Sequence, residues 1–164
     1  MPPLSASITN LTSHPPIYVQ NDSDLLRQAR AEGWPGSGTP DDPIIVSGYA
    51  INSYNSSSPK HAAIHLTQTS LHVRIERCYL YYEGPQPAED VGSRGIYLCR
   101  CHNIVIADCI IANNYAGIET VVRNRNGIVE NCYVINNSIA LSLHSCYNWT
   151  IKHCYIVNLS LIHI

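Results

Sequence analysis

The chain is expected to be all-β, a single-stranded parallel β-helix of about five rungs with a short N-terminal capping helix. Three observations predict this. A segment recurs four times with cysteine in one fixed place, each copy alternates apolar and polar residues, and Ile, Val, Leu, Tyr and Cys dominate an apolar fraction that contains no Phe. β-branched and aromatic residues suit pleated surfaces better than helices.

The repeat comes first. "VRIERCYLYY" (73–82), "IVIADCIIAN" (104–113), "GIVENCYVIN" (127–136) and "WTIKHCYIVN" (149–158) follow one template, with Cys78, Cys109, Cys132 and Cys154 equivalent. Three residues before each cysteine stands Ile75, Ile106, Val129 or Ile151; two after it stands Leu80, Ile111, Val134 or Ile156. A second shared segment lies upstream: "AIHL" (63–66), "GIYL" (95–98), "GIET" (117–120) and "ALSL" (140–143). A looser copy, "IIVSGYAIN" (44–52), has Tyr49 in the cysteine's place. The last cysteines are 23 and 22 residues apart, and the first interval of 31 contains an insertion, "YEGPQPAEDVGSRG" (82–95).

Alternation over three or four residues is a strand period, and no helix-length apolar pattern fits between the strands. A unit of roughly 22 residues with three short strands and three turns is one coil of a solenoid. Rungs stack at about 4.8 Å, so equivalent residues form ladders. Asn103, Asn126 and Asn148 should form one such ladder at a turn, and Asn113, Asn136 and Asn158 another.

The N-terminal segment 1–43 is expected to act as a cap, with residues 44–164 forming the repeats. "NDSDLLRQARAEG" (21–33) reads as a helix, with Asp22 or Ser23 at its N-terminus and Gly33 at its end. Such a helix would shield the open strand edge of the first rung. "GWPGSGTPDDP" (33–43) is a turn-rich connector, which accounts for Asp41 and Asp42. The last residues open a further rung, so the chain is expected to be part of a longer solenoid.

Composition excludes some functions. Charged residues are 13% of the 164, about half the usual share, and the net charge is −2. No global field recruits nucleic acid, and no stretch is long enough for a membrane span. "MPPLSASITN" lacks the basic and apolar parts of a leader. Seven cysteines are an odd number, so at least one is unpaired within a monomer.

"HPPIYV" (14–19), a short helix, "GWPGSGTPDDPIIVSGYAIN" (33–52) and repeats of the "GIYL…NIVIADCIIANN" kind resemble the right-handed parallel β-helix repeat family of the pectate-lyase-like superfamily. Within it, the chain is similar to the NosD-like proteins common on archaeal surfaces. The resemblance implies a secreted or cell-surface protein. It spans polysaccharide lyases, glycoside hydrolases, carbohydrate-binding modules and structural spikes, so fold alone does not select a function.

The expected function is non-catalytic recognition of a polysaccharide or glycan, or adhesion. The alternatives are a carbohydrate-active enzyme completed elsewhere and a NosD-like copper-handling protein. In pectate-lyase-like proteins polysaccharide usually lies on the outer face of the first strand. Here that face should present His65, Tyr97, Glu119 and Ser142, followed by His144. Hydrolysis requires two carboxyl groups flanking the glycosidic bond, and Glu119 stands alone in this stripe. A pectate-type lyase would need clustered Asp for Ca²⁺ and a basic residue nearby, and no catalytic set is assigned. Tyr79, Tyr133 and Tyr155 should form an outward aromatic stripe suited to a partner.

The cysteine ladder is expected to fill the core as small hydrophobes, with disulfides or a Cu(I) thiolate site as alternatives. "CRCH" should be more exposed, with Cys99 outward and Cys101 and His102 near a turn, giving three weak metal-ligand candidates. No cofactor is expected, with Ca²⁺ or Cu as the alternatives.

Overall fold

A computed structural model describes residues 8–157 and 161–163. The first strands and helix of the described residues are β1 (Thr12–Ser13), β2 (Ile17–Val19) and α1 (Asp22–Glu32). Five coils follow. The first is β3 (Ile44–Ser47), β4 (Tyr49–Asn52) and β5 (Ala62–Thr67); the second is β6 (Val73–Glu76), β7 (Tyr79–Tyr81) and β8 (Arg94–Cys99), with a short helix α2 (Ala88–Val91) before β8. The third is β9 (Ile104–Ala107), β10 (Ile110–Ala112) and β11 (Ala116–Val121). The fourth is β12 (Asn124–Glu130), β13 (Tyr133–Ile135) and β14 (Ile139–Leu143), and the fifth is β15 (Cys146–Lys152), β16 (Tyr155–Val157) and β17 (Leu161–His163).

Each coil gives one strand to each of three parallel sheets. Sheet A runs β1-β4-β7-β10-β13-β16, sheet B runs β2-β5-β8-β11-β14-β17, and sheet C runs β3-β6-β9-β12-β15. The register matches the sequence template: Ile75 pairs with Ile106 and Ile106 with Val129, while Leu80 pairs with Ile111 and Ile111 with Val134. Like thus sits on like, and one apolar column fills the tube. Ile44, Ile75, Ile106, Leu80, Ile111, Ile96, Leu98 and Ile118 are all buried. Each contributes about 1.5–3 kcal/mol relative to exposure.

The corners explain the rest of the template. Between sheets C and A, Arg77, Asp108, Asn131 and His153 adopt φ of 50–54°. This single left-handed residue turns the chain, and the next residue points into the tube. That residue is Cys78, Cys109, Cys132 or Cys154, and all seven cysteines are free thiols. Each ladder thiol donates to the carbonyl two residues back, at 3.3 Å for Cys78, Cys109 and Cys132 and 3.4 Å for Cys154. Each also reaches a carbonyl one rung below, at 3.6–3.9 Å. Cysteine suits this place because it is small, apolar and still a weak donor.

The other corners use the same device with different residues. Between sheets A and B, left-handed Asn113 and Asn136 precede Asn114 and Asn137, which are buried. Asn137 Nδ2 donates to the carbonyls of Ile111 (2.9 Å) and Ile135 (3.1 Å), and its Oδ1 accepts from the Asn114 amide at 2.9 Å. Between sheets B and C, Thr69, Cys101, Asn124 and Cys146 occupy the inward position; Asn124 Oδ1 accepts from the Cys101 amide at 2.9 Å. The expected outer ladder is present: Asn148 donates to Asn126 at 2.8 Å, Asn126 to Asn103 at 3.3 Å, and Asn103 to the Ser70 carbonyl at 2.9 Å. At the A–B corner the buried amides are Asn114 and Asn137, not the exposed Asn113 and Asn136 expected from sequence; Asn158 lies outside the described residues.

At the N-terminal end α1 covers the tube. Its cap is Asn21, whose side chain accepts from the Asp24 amide at 2.8 Å, rather than Asp22 or Ser23. Asp22 instead accepts from the Ser70 hydroxyl (2.6 Å) and amide (2.9 Å), tying the helix to the body. Gly33, at φ 74°, ends the helix in the left-handed conformation glycine tolerates best. Leu25 and Ala29 face the core, and Gln28 donates to the Tyr18 carbonyl at 2.7 Å. β1 and β2 belong to this cap segment, yet they pair in register with β4 and β5.

A candidate ligand-binding face on sheet B

The outward positions of sheet B stack one residue per rung. Tyr18 pairs with His65, His65 with Tyr97, Tyr97 with Glu119, and Glu119 with Ser142. The strand period places all five on one face. Tyr18 and His65 have ring centroids 4.5 Å apart at 33°, and His65 and Tyr97 are 4.9 Å apart at 79°. The upper end of the face is therefore an aromatic ladder and the lower end is polar.

Two cations close over the ladder. Lys60 Nζ and Arg94 Cζ each lie 5.5 Å from the Tyr97 ring centroid, within cation–π range. Arg94 also forms an ion pair with Glu119 through Nε and donates to the Gly92 carbonyl at 2.6 Å. His65 is 4% exposed and Tyr97 6%, so these outward side chains are more enclosed than the sequence suggests. Burial, with Lys60 and Arg94 nearby, lowers the His65 pKa to about 4. Burial likewise raises that of Tyr97. Among the described residues His65 Nδ1 has no hydrogen-bond partner although it is buried.

Neutral His65 has a consequence for stability. Between pH 6.5 and about 4 the unfolded chain binds a proton at this residue that the folded chain does not. Its contribution is therefore fully present above pH 6.5 and is lost as pH falls through 4. Urea midpoints at pH 7 and 4.5 should differ less in His65→Phe, which keeps the ring between Tyr18 and Tyr97, than in the native protein.

Two cavities lie along this face. One, of about 340 Å³, is lined by Tyr18, Lys60, His65, Thr67, Tyr97 and Cys99 among others. The other, of about 280 Å³, is lined by Arg94, Tyr115, Glu119, Ser142 and His144 among others. The five residues expected from sequence thus fall on one face, divided between two adjoining cavities. Tyr18, Lys60 and Arg94 are additions. Tyr18 had a signal, because "IYV" (17–19) matches "IHL" (64–66) and "IYL" (96–98). Lys60 had none, since it arrives on a loop whose path the repeat does not dictate.

The tyrosine stripe on sheet A is less open than expected. Tyr133 is 8% exposed, against Tyr155 at a centroid distance of 5.6 Å, while Tyr79 is half-buried and stacks on Tyr81 at 4.6 Å. The rings thus pack on one another, across strands for Tyr133 and Tyr155 and within β7 for Tyr79 and Tyr81.

The "CRCH" segment does not converge. Cys99 is half-buried and lines the aromatic cavity, but Cys101 is fully buried and turned into the tube. Its thiol donates to the Leu66 carbonyl at 3.2 Å, and burial raises its pKa. The expectation that Cys101 is exposed with Cys99 and His102 is corrected: left-handed Arg100 reverses the side between Cys99 and Cys101. In the cysteine ladder the neighbouring Cys132 and Cys78 thiols, with burial, hold Cys109 well above the ordinary thiol range. Among the described residues no group of three or more His, Cys, Asp or Glu is placed to hold a metal ion.

The comparisons with known proteins agree with this architecture. The family model described as a right-handed β-helix region matches residues 17–163. The chain belongs to the right-handed β-helix family. No curated protein and no solved structure matches it. Among the described residues no helix is long and apolar enough to cross a membrane.

Proposed function

We propose that this β-helix segment recognises a saccharide on sheet B without catalysing its cleavage, as part of a secreted or cell-surface protein of the NosD-like kind. The observation that carries the reading is the continuous stripe Tyr18–His65–Tyr97–Glu119–Ser142, aromatic at one end and hydrogen-bonding at the other. Sugar rings pack an apolar face on aromatic rings while their hydroxyls seek polar partners. Glu119 is engaged by Arg94, and neither cavity on this face includes a second carboxylate in its lining. That favours binding over hydrolysis.

A glycan array followed by calorimetry tests the reading. Tyr97→Ala should weaken the best array ligand about ten-fold, roughly 1.4 kcal/mol, with an unchanged circular dichroism spectrum. Equal affinity in the variant would remove sheet B as the site. Release of reducing ends from any bound polysaccharide would overturn the non-catalytic half of the proposal.

A further inference from the structure

A second feature lies at the corner between sheets B and C. Gln68, Arg100 and Arg123 occupy left-handed bends there, at φ 54°, 55° and 55°. The following residues, Thr69, Cys101 and Asn124, turn inward and are buried, while Gln68, Arg100 and Arg123 are exposed. Arg100 and Arg123 belong to successive coils, whose backbones are about 4.8 Å apart. A cavity of about 350 Å³ is lined by Gln68, Thr69, Ser70, Arg100, His102 and Arg123.

No carboxylate is among that lining. Asp22 lies behind Ser70, and its oxygens already accept from the Ser70 hydroxyl and amide and from the Leu71 amide at 3.3 Å. Most other cations of the body are engaged. Arg74, Arg94 and Lys152 pair with carboxylates, Arg77 donates to Ser47, and Arg125 covers the Tyr147 ring. Among the described residues the guanidiniums of Arg100 and Arg123 have no such partner. Two like charges one rung apart repel. A doubly charged oxyanion between them replaces that repulsion with charge-assisted hydrogen bonds, which guanidinium makes in bidentate form.

We propose that this corner is a binding site for a tetrahedral oxyanion, sulfate or phosphate, either free or as an ester on a saccharide. Arg100 and Arg123 supply the charge, and the Gln68 amide and His102 ring supply further donors. Gln68 also lines the aromatic cavity on sheet B, so the two cavities meet at this residue and a sugar ester is the ligand that would engage both. Apart from Gln68 the site rests on other residues than the saccharide reading, and either stands without the other.

The test is calorimetric titration with sodium sulfate and sodium phosphate at fixed ionic strength in chloride, then with glucose 6-sulfate and glucose. Saturable binding of at least one inorganic ion is expected. The Arg100→Asn/Arg123→Asn double variant should weaken it at least ten-fold, and Arg30→Gln should leave it unchanged. Asparagine is chosen because it accepts the left-handed backbone. Glucose 6-sulfate binding more tightly than sulfate would assign the ester as the source; equal binding would assign the free ion. Loss of the ester's advantage in Tyr97→Ala, with inorganic binding retained, separates this site from the sheet B face. No saturable binding of either ion, or equal binding by the double variant, overturns the proposal. Should the double variant fail to fold, phenylglyoxal modification of the native protein decides: sulfate must slow modification of Arg100 and Arg123 but not of Arg30, and absence of protection overturns the proposal.

Discussion

Asn137→Leu should destabilise the protein by about 3–5 kcal/mol, measured by urea unfolding. Asn137 is 2% exposed, and its side chain satisfies three backbone groups: the Ile111 and Ile135 carbonyls and the Asn114 amide. Leucine is of similar size, so the core does not collapse, but the Asn114 amide loses its side-chain acceptor and both carbonyls lose the Nδ2 donor, the Ile135 carbonyl keeping the Asn113 amide at 3.2 Å. The orphaned amide costs about 1–3 kcal/mol and each lost carbonyl hydrogen bond about 0.5–1.5 kcal/mol, offset in part by the added apolar burial. Asn136→Asp, one residue away and exposed, should stay within about 0.5 kcal/mol. Equal costs at the two positions would mean that the inward corner amides are not what holds this edge together.

Gly117→Ala should cost about 2–3 kcal/mol. A Cβ at this position would lie 2.6 Å from the Ala140 carbonyl oxygen and 3.0 Å from Val134 Cγ1. The first contact is with backbone of the next coil, which cannot rotate aside as a side chain does. Relief requires β11 and β14 to separate locally, and that disturbs the bonds between Ala116, Ile118 and their partners. Overpacking of this kind typically costs 1–3 kcal/mol, so about 2–3 is expected where backbone is the obstacle. An unchanged urea midpoint would show that the coils are further apart than this contact requires.

How much of this was readable in the residues depends on distance from a corner. Within a strand the two-residue period is strict, so the columns through Ile75 and Leu80 and the face bearing His65, Tyr97, Glu119 and Ser142 follow directly. Across a corner the period fails, because one left-handed residue shifts the phase. Leu98 is inward and Cys99 outward; Arg100 then bends the chain, and Cys101 turns inward where plain alternation would turn it out. The same shift exchanges Asn113 for Asn114 as the buried amide. Enclosure of His65 and Tyr97 was hidden for another reason. Lys60 and Arg94 sit at the ends of the two irregular segments, and nothing in a 22-residue period says where such a segment returns.

Those two irregular segments share a place of origin. Residues 53–61 and 82–93 both leave from the vertex between sheets A and B, while within the five coils the other two vertices keep links of one to five residues; the longer B–C link before them carries α1. Insertions and deletions there leave the stacked columns in phase, since register is restored when the chain rejoins the next strand. The tube and the loops that border sheet B are thus free to diverge at different rates. Descendants of such a gene need only rewrite one vertex to present new chemistry from an inherited scaffold.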